Sequence, residues 1–256
     1  MFDWGVGEYE RTAAELEPAA RHVVALAELE AGETVLDLAC GTGNAALLAA
    51  AAGARATGLD AAERLIEVAR SRPGGDRVEF VVGDALELPF ADGAFDVVLS
   101  VFGIIFVPDA ARGLEEVRRV LRPRGRALLA VWMPHGPIHE MVGALARGAA
   151  AAGGPQRPRF DWHDPDAVAP LATAAGMTTR VQDASLVVEG ESPEAYLAAA
   201  ERFHPMSIAM RALLDRSGRY PEIRAEALAA LRAGNEDPGG FRITSPYRVI
   251  SLTRAG

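Results

Sequence analysis

Glycines and a carboxylate lie close together in the segment VLDLACGTGNAA, residues 35–46, and together they restrict the kind of ligand that can bind there. The run GTGNAA, which begins at Gly41, fits the G-x-G-x-x-G/A pattern of a dinucleotide site. In such a site the glycines let a pyrophosphate reach the positive end of a helix. Asp37 lies four residues before Gly41, inside an apolar run. A carboxylate there would repel a pyrophosphate and would suit a ligand with a cationic ammonium group.

S-Adenosylmethionine is a ligand of that kind, because it carries an ammonium on its methionine end, contains an adenosine and has no phosphate. A second acidic residue, Asp60, follows the glycines by about 20 residues, the distance at which dinucleotide sites place a ribose-binding carboxylate. Asp60 therefore fits both ligands and does not discriminate between them. At this point a nicotinamide-dependent oxidoreductase stays open as the alternative.

The elements that must position these residues alternate between strand and helix along the first half of the chain. The apolar runs and their flanks predict strands at 34–39, 54–60, 78–82, 95–101 and 125–133, and helices at 13–29, 44–52, 62–70 and 110–121, the last stopped before Pro123. Such alternation predicts an α/β fold with a Rossmann-like, doubly wound and mostly parallel sheet. Ligands of these sheets bind beyond the carboxyl ends of the strands, where the acidic residues lie.

The second half of the chain is mainly helical. It predicts a helix at 137–152, a loop at 153–160, a helix capped by Asp164 that ends near Gly176, a strand at 178–188 and a C-terminal antiparallel strand at 247–253. Between those two strands, 193–232 is largely helical, with breaks at Pro205 and around 218–221. A connection of that length predicts a helical cap over an active site. We therefore expect one domain over 1–256, with an N-terminal lid helix in 1–30, a cofactor-binding core at 32–133 and the cap at 189–241.

Four ordered motifs resemble those of the class I S-adenosylmethionine-dependent methyltransferases. They are VLDLACGTG, TGLD, VVGDALELPFADGAFDVVLS and LRPRGRALLAVW, and the resemblance runs from about Gly32 to Met133. It is strongest to the branch that includes the ubiquinone/menaquinone C-methyltransferases and many small-molecule methyltransferases of bacterial secondary metabolism. The resemblance implies S-adenosylmethionine as the cofactor and C- or O-methylation of a small organic acceptor.

The same resemblance implies roles for individual residues. Its cofactor-binding positions are Asp37, Gly41, Gly43, Asp60, Ala61, Asp84, Ala85 and Ser100. Asp37 would hold the methionine ammonium through water, Asp60 would accept from both ribose hydroxyls, and Asp84 would accept from the adenine amine. Backbone near Ala85 would contact the adenine ring, and backbone at Ser100 would lie near the methionine.

Methyl transfer from a sulfonium is an in-line displacement that depends mainly on alignment. A hydroxyl or activated-carbon acceptor can also need a base, and histidine suits that role because its pKa lies near neutral pH. His135 and His139, after the fifth strand, and His204, in the cap, are the candidates. Their spacing makes His135 and His139 resemble a metal pair, but Pro137 between them begins a helix, so no metal site is expected. His22 is interpreted as a surface or packing residue.

The composition of the chain indicates which kinds of partner the protein is expected to bind. The formal net charge is −9 and no basic stripe is visible, so no nucleic-acid partner is expected. Every basic residue is an arginine, which excludes Schiff-base chemistry by a lysine of this chain. The longest nearly apolar run, 45–54, is shorter than the roughly 20 residues that span a bilayer, and the chain has one cysteine, so a cytoplasmic protein is expected. A monomer and a homodimer both stay open.

Three further interpretations complete the sequence picture. Cys40 is expected to be a small buried residue of the turn, and Asp96 a structural residue that bonds backbone at a strand start. The segment WGVGEYE, residues 4–10, resembles an N-terminal lid, in which Trp4 or Tyr9 would close over the cofactor or acceptor. A protein that keeps this fold and cofactor but acts as a cyclase or a binding module is a further alternative, because a fold does not fix a function.

Overall fold

The computed structural model describes residues 3–154 and 160–256. The strands are β1 (Thr34–Leu38), β2 (Arg55–Asp60), β3 (Glu79–Val82), β4 (Phe95–Val101), β5 (Leu121–Trp132), β6 (Met177–Gly190) and β7 (Phe241–Arg254). The helices are α1 (Tyr9–Leu26), α2 (Asn44–Ala51), α3 (Glu63–Ser71), α4 (Ala110–Val120), α5 (Pro137–Ala151), α6 (Pro165–Ala174), α7 (Pro193–Phe203), α8 (Pro205–Arg216) and α9 (Tyr220–Ala233). Part of the predicted loop at 153–160, residues 155–159, lies outside the described residues. No helix within the described ranges is long and apolar enough to cross a membrane.

All seven strands form one sheet in the order β3-β2-β1-β4-β5-β7-β6. The pairs β1–β2, β1–β4, β2–β3 and β4–β5 are parallel, and β7 runs antiparallel to β5. The predicted Rossmann-like α/β fold with a C-terminal antiparallel strand is therefore confirmed. The strand order reverses between β1 and β4, and the crevice beyond such a reversal is where open α/β sheets bind ligands.

The parallel strands form because their apolar runs are buried on both faces, as parallel sheets require. In β1 every residue after Thr34 is buried, and β4 is buried from Val97 to Ser100. Helix α4 covers the sheet with Leu114, Val117 and Val120, which are spaced three residues apart and are fully or almost fully buried.

Two strands begin earlier than predicted, and each contains a proline, of which only Pro123 was taken as a boundary in the sequence. Strand β5 begins at Leu121 and includes Pro123, in a stretch where its register against β4 shifts. A proline is tolerated there because the ladder is irregular. Strand β7 begins at Phe241 and includes Pro246, whose carbonyl accepts a hydrogen bond from the Met133 amide at 3.2 Å. Helix α1 also begins earlier, at Tyr9.

The chain divides into two compact units. The helical unit comprises Met1–Glu15, Met133–Pro158 and Ser185–Pro246, and the core unit comprises Leu16–Trp132, Arg159–Ala184 and Tyr247–Gly256. All four sequence motifs lie in the core unit, apart from the last residue of the resemblance at Met133. Helices α7, α8 and α9 lie between β6 and β7, where the sequence predicted a helical segment.

Asp96 is structural, as predicted. Its carboxylate accepts hydrogen bonds from the Thr34 amide at 2.8 Å and the Thr34 hydroxyl at 2.7 Å, and from the Arg122 guanidinium. Partial burial works to raise the pKa of Asp96, but these donors outweigh it and hold the pKa at about 2. The group joins the starts of β1, β4 and β5, at the sheet edge opposite the carboxyl ends.

Within the helical unit, the N-terminal segment (residues 4–11) packs on the junction between α7 and α8. The Glu8 amide donates to the Phe203 carbonyl at 2.9 Å, and the Arg11 guanidinium lies 4.2 Å from the centre of the Phe203 ring. Gly7 approaches so closely that a Cβ there would lie 2.3 Å from the Phe203 carbonyl oxygen. The segment is therefore docked on this unit and is not a frayed terminus.

Three rings complete this contact. Trp4, Tyr9 and His204 meet edge to face, with ring centroids 5.5–6.0 Å apart. Such edge-to-face packing is favourable beyond the area it buries. Closure of this segment over a ligand stays a prediction.

Gly7→Ala should undock the N-terminal segment. Gly32→Ala is the matched control, because both glycines have left-handed φ angles, 71° and 86°, and a Cβ at Gly32 would meet nothing within 4 Å. Both substitutions carry the left-handed strain of roughly 1–2 kcal/mol, but only Gly7→Ala also collides with Phe203. Hydrogen exchange at the Glu8 amide should accelerate roughly tenfold in Gly7→Ala alone. Equal exchange in the two variants would show that the segment is not held by this contact.

Candidate functional site

The turn that follows β1 (residues 39–43, called the first turn below) is built from left-handed backbone. Ala39, Gly41 and Gly43 have φ angles of 54°, 55° and 81°. The Gly43 amide donates to the Cys40 carbonyl, and the Cys40 amide donates to the Leu59 carbonyl of β2, each at 2.9 Å. Burial raises the pKa of the Cys40 thiol well above its usual range, so the side chain stays a protonated thiol. The first turn is thus fixed to the ends of two neighbouring strands.

Asp37 occupies the amino end of α2. The carboxylate is 2 % exposed, and its Oδ2 accepts a hydrogen bond from the Ala46 amide at 2.9 Å. Helix α2 has no capping side chain of its own, so Asp37 supplies one from the adjacent strand. Burial raises the pKa of Asp37 to about 7, against the lowering effect of the Ala46 amide. The Asp37 carboxylate, which precedes the glycines, is therefore already bound by a backbone amide of the folded chain.

This placement opposes a dinucleotide. In a dinucleotide site the pyrophosphate takes the amides at the helix amino end, but here a buried carboxylate already accepts from one of them. An anion brought to the same place would meet the carboxylate in a region of low dielectric, where repulsion is strong. A cation would instead favour the ionised form of Asp37.

Asp60 joins the end of β2 to the first turn. Its Oδ2 accepts from the Gly41 amide at 2.8 Å and its Oδ1 from the Ala62 amide at 2.9 Å. Burial raises the pKa of Asp60. Each carboxylate oxygen has a second acceptor position, so the group can still accept from two hydroxyls. Ala61, which lies between Asp60 and Ala62 in the sequence, is exposed at the same strand end.

Asp84 follows β3 and is exposed. Its Oδ1 accepts from the Leu86 amide at 2.9 Å, which closes a turn through Ala85. The backbone of Asp84 also bridges to Glu87. One carboxylate oxygen thus stabilises the turn itself. An adenine contact of Asp84 or Ala85 stays a prediction.

A pair of charged residues on α4, called the α4 clamp below, holds the loop after Asp84. Glu116 is 2 % exposed and accepts from the Leu88 amide at 2.8 Å. Arg119 donates to Glu116, to the carbonyls of Leu88 and Phe90 at 2.9 and 2.7 Å, and to Asp92 at 2.9 Å. The contact with Arg119 holds the pKa of Glu116 below its usual range, against the effect of burial. Sequence reasoning missed this pair, because charged residues on a helix are usually solvated.

Ser100 is fully buried near the end of β4. Its hydroxyl donates to the Leu38 carbonyl at 2.8 Å and accepts from the Ile104 amide at 2.9 Å. The side chain therefore ties β4 to β1. A contact of the Ser100 backbone with the methionine stays a prediction. Nearby, a Cβ at Gly103 would lie 2.6 Å from the Ala39 Cβ, so the loop after β4 touches the first turn.

The three candidate histidines lie in the helical unit, whereas the predicted cofactor positions lie in the core unit. His135 is exposed in the loop before α5, and His139 is exposed in the first turn of α5. Among residues 3–154 and 160–256, no three His, Cys, Asp or Glu side chains come together as a metal site.

His204 has a structural task. Its Nδ1 lies 3.2 Å from the Met206 amide and accepts that N–H at the start of α8. A ring that accepts at Nδ1 carries its proton at Nε2 when it is neutral. Burial lowers the pKa of His204 to about 4, so the neutral form prevails at neutral pH. This tautomer has no free lone pair, so His204 could act as a base only by releasing the cap of α8.

His22 is a packing residue, which is one of the two roles that the sequence left open. Its Nδ1 lies 2.6 Å from the Tyr247 hydroxyl in the core unit, although the two residues are 225 positions apart. No motif in the sequence joins them. They meet only in the folded chain, where β7 pairs with β5.

Comparison with known proteins identifies the core unit. A family described as "Methyltransferase domain" matches residues 36–129. Demethylmenaquinone methyltransferase from Clavibacter sepedonicus is 42 % identical over 135 residues, which cover 50 % of this chain and 55 % of that protein. The match thus spans only about half the length of that relative.

Solved structures show the same fold over a longer stretch. The YcgJ protein from Bacillus subtilis superimposes with a TM-score of 0.64 at 21 % identity, covering 93 % of this chain and 99 % of that one. Phosphoethanolamine N-methyltransferase 2 from Haemonchus contortus, solved with phosphomonomethylethanolamine and S-adenosylhomocysteine, gives a TM-score of 0.59 at 16 % identity, covering 93 % of this chain and 53 % of that one. At these identities the likeness establishes the fold.

Asp37→Asn should change how stability depends on pH. The pKa of Asp37 is about 7 in the folded chain, against the usual value of 3.8, so the folded state binds the extra proton between these values. The stability contributed by that proton is present at low pH and is lost as pH rises through about 7. Asparagine keeps the acceptor for the Ala46 amide and cannot ionise.

The stability difference between Asp37→Asn and the natural chain, measured without ligand, should therefore shift in favour of the variant by on the order of 2 kcal/mol from about pH 5 to about pH 8. Denaturant unfolding at each pH measures it. A difference that does not vary with pH would show that Asp37 ionises as easily in the folded chain as in the unfolded one.

Arg119→Ala should weaken binding of S-adenosylhomocysteine through Asp84. If the α4 clamp positions the Asp84 turn, the losses in Arg119→Ala and Asp84→Ala will not add, and the coupling will fall within roughly 0.5–3 kcal/mol. Calorimetry on both single variants and the double variant measures that coupling. Arg122→Ala is the control, since Arg122 holds Asp96 and Thr34 at the opposite sheet edge. Additive losses would show that the α4 clamp stabilises the fold but does not position the Asp84 turn.

Proposed function

We propose that the chain is a class I S-adenosylmethionine-dependent methyltransferase that methylates a carbon or oxygen atom of a small organic acceptor. One observation carries the proposal: Asp37, Asp60 and Asp84 lie at or just beyond the carboxyl ends of three adjacent parallel strands. Three carboxylates in a row suit a ligand rich in hydrogen-bond donors that carries a cation and no phosphate.

The residues present fit this cofactor. Asp37 lies buried beside the first turn, where an ammonium group would offset the cost of its ionisation. Asp60 retains acceptor capacity for the ribose hydroxyls, and the Asp84–Ala85 turn is open to an adenine. Backbone at Gly41, Gly43 and Ser100 would complete the site, as the family resemblance implies.

S-Adenosylmethionine supplies an activated methyl group when bound, so the chain's own residues need only bind, orient and exclude water. A hydroxyl acceptor would also have to lose a proton. Of the three histidine candidates, His135 and His139 are exposed and keep a free ring nitrogen for this task, whereas His204 is committed to α8. An acceptor that is already a strong nucleophile would need none of them.

The proposal extends to the cap and the lid. Residues 189–241 supply three helices, and the N-terminal segment docks on two of them. We propose that residues 1–256 form a single methyltransferase domain, in which 1–30 are the lid, 32–133 the cofactor-binding core and 189–241 the cap. A small acceptor, with no nucleic acid or membrane as partner, agrees with the net charge of −9 and the scarcity of basic clusters.

Two alternatives make different demands. A nicotinamide-dependent oxidoreductase needs a pyrophosphate at the amino end of α2, which the Asp37 carboxylate opposes. A cyclase or a binding module with the same fold would bind the cofactor but never consume it. A ligand-binding measurement therefore distinguishes the oxidoreductase from the methyltransferase. A measurement of cofactor turnover distinguishes the cyclase or binding module from it.

S-Adenosylhomocysteine should raise the melting temperature, whereas NAD and NADP should not. At 100 times its dissociation constant a ligand adds roughly 2.7 kcal/mol to stability. Asp60→Ala should abolish most of the rise, because hydrogen bonds to a charged group are worth roughly 1.5–3 kcal/mol each. Asp96→Ala is the matched control: it removes another carboxylate that accepts backbone amides, and it should lower the melting temperature but preserve the rise. Stabilisation by NAD without stabilisation by S-adenosylhomocysteine would refute the proposal.

A further inference from the structure

Four rings meet in the core unit, and none of them belongs to a predicted cofactor position. Phe102 and Trp132 stack with centroids 4.0 Å apart and planes 5° apart. Tyr247 packs edge-on against Phe102 at 5.6 Å, and His22 packs against Tyr247 at 6.0 Å while sharing a 2.6 Å hydrogen bond with its hydroxyl. We call these four residues the ring cluster.

The ring cluster lies at the carboxyl edge of the sheet. Phe102 directly follows β4, and Trp132 ends β5 and pairs with Tyr247 of β7. The next residue after Phe102 is Gly103, whose backbone touches Ala39 of the first turn. Neighbouring strands are about 4.8 Å apart, so Trp132 ends two strand positions, roughly 10 Å, from β1 and its turn. The cluster is thus adjacent to the place where the methionine end of the cofactor would lie.

Phe102 has a left-handed backbone, with φ at 60°, which is uncommon for a bulky residue and carries a conformational cost. That strain persists only because the surroundings impose it, and such strain concentrates at ligand sites. Its effect here is to place the Phe102 ring flat beneath the indole of Trp132.

Exposure differs sharply within the cluster. Phe102 and Tyr247 are buried, at 4 % and 2 % exposed, but Trp132 remains partly exposed. Phe102 supports one face of the indole, and no hydrogen bond from the Trp132 indole nitrogen is present among the described residues. Trp132 therefore offers a rigid planar surface together with a free N–H donor.

We propose that Trp132 is a stacking platform for an acceptor with a planar, unsaturated ring, and that its indole N–H donates to an oxygen substituent of that ring. This inference rests on the proposed function, because it assigns the class of the acceptor. A flat ring gains most from a supported indole, since aromatic pairs favour offset stacking. The platform itself carries no charge, so it does not favour a phosphorylated or carboxylated group over a neutral ring.

The test compares naphthol with its saturated analogue decahydronaphthol, on protein saturated with S-adenosylhomocysteine. Equilibrium dialysis gives the preference for the planar compound, which should fall roughly threefold to tenfold in Trp132→Leu. Trp132→Phe keeps a ring and should retain most of the preference. Affinity for S-adenosylhomocysteine should change less than about twofold in both variants.

A measurement on the natural chain does not depend on whether Trp132→Leu folds. The chain has three tryptophans, so its NMR spectrum should show three indole N–H resonances, and Trp132→Phe identifies the one from Trp132. Naphthol should shift that resonance more than the other two, and decahydronaphthol should not. An unshifted Trp132 resonance, or an undiminished preference in Trp132→Leu, would overturn the platform. Loss of S-adenosylhomocysteine affinity in Trp132→Leu would also overturn it, by assigning the ring to the cofactor site. Failure of the natural chain to bind S-adenosylhomocysteine would instead refute the proposed function.

Discussion

The hydrogen bond from the Ala46 amide to the buried Asp37 carboxylate is the contact on which the site depends. It fixes the amino end of α2 against β1, at the point where the strand order reverses. A carboxylate in that position is costly to ionise, because it is 2 % exposed and its pKa is about 7. The cost is offset in part by the helix end, whose partial positive charge favours an anion. The same end is thereby closed to a phosphate and left compatible with an ammonium.

The carboxylates of Asp60 and Asp84 also accept hydrogen bonds from backbone amides, although both residues are less buried than Asp37. Asp60 uses both oxygens to bind backbone amides on either side of its strand end, and Asp84 uses one to close its own turn. Each of these carboxylates, which the family resemblance assigns to the cofactor, therefore also binds nearby backbone amides. The α4 clamp continues the arrangement outward, because Arg119 and Glu116 bind the backbone of the loop beyond Asp84. The carboxylates proposed to contact the ligand are therefore held in place by hydrogen bonds within the protein itself.

The sequence predicted what depends on local periodicity and on linear motifs. The bounds of β4 agree to the residue and those of α2 to within one, because a short apolar run and an alanine-rich run each have clear flanks. The predicted start of β5 was too late because Pro123 was taken as a boundary, and a proline excludes a regular ladder but not an irregular strand. The predicted start of β7 was also too late. It also missed the contact between His22 and Tyr247, which only the assembled sheet brings together. Arg119 escaped notice because nothing local distinguishes a clamp from a solvated arginine.

Carboxylates and aromatic rings lie at different strand ends along the carboxyl edge of the sheet. Carboxylates gather at the ends of β1, β2 and β3, and left-handed backbone follows β1, where a polar cofactor would need acceptors and close backbone. Rings gather at the ends of β4 and β5, where Phe102 and Trp132 stack. The two regions meet at Gly103 and Ala39, since any side chain at position 103 would push the loop after β4 away from the first turn. A close backbone contact, rather than a shared side chain, therefore sets the distance between the polar half of the site and its aromatic half.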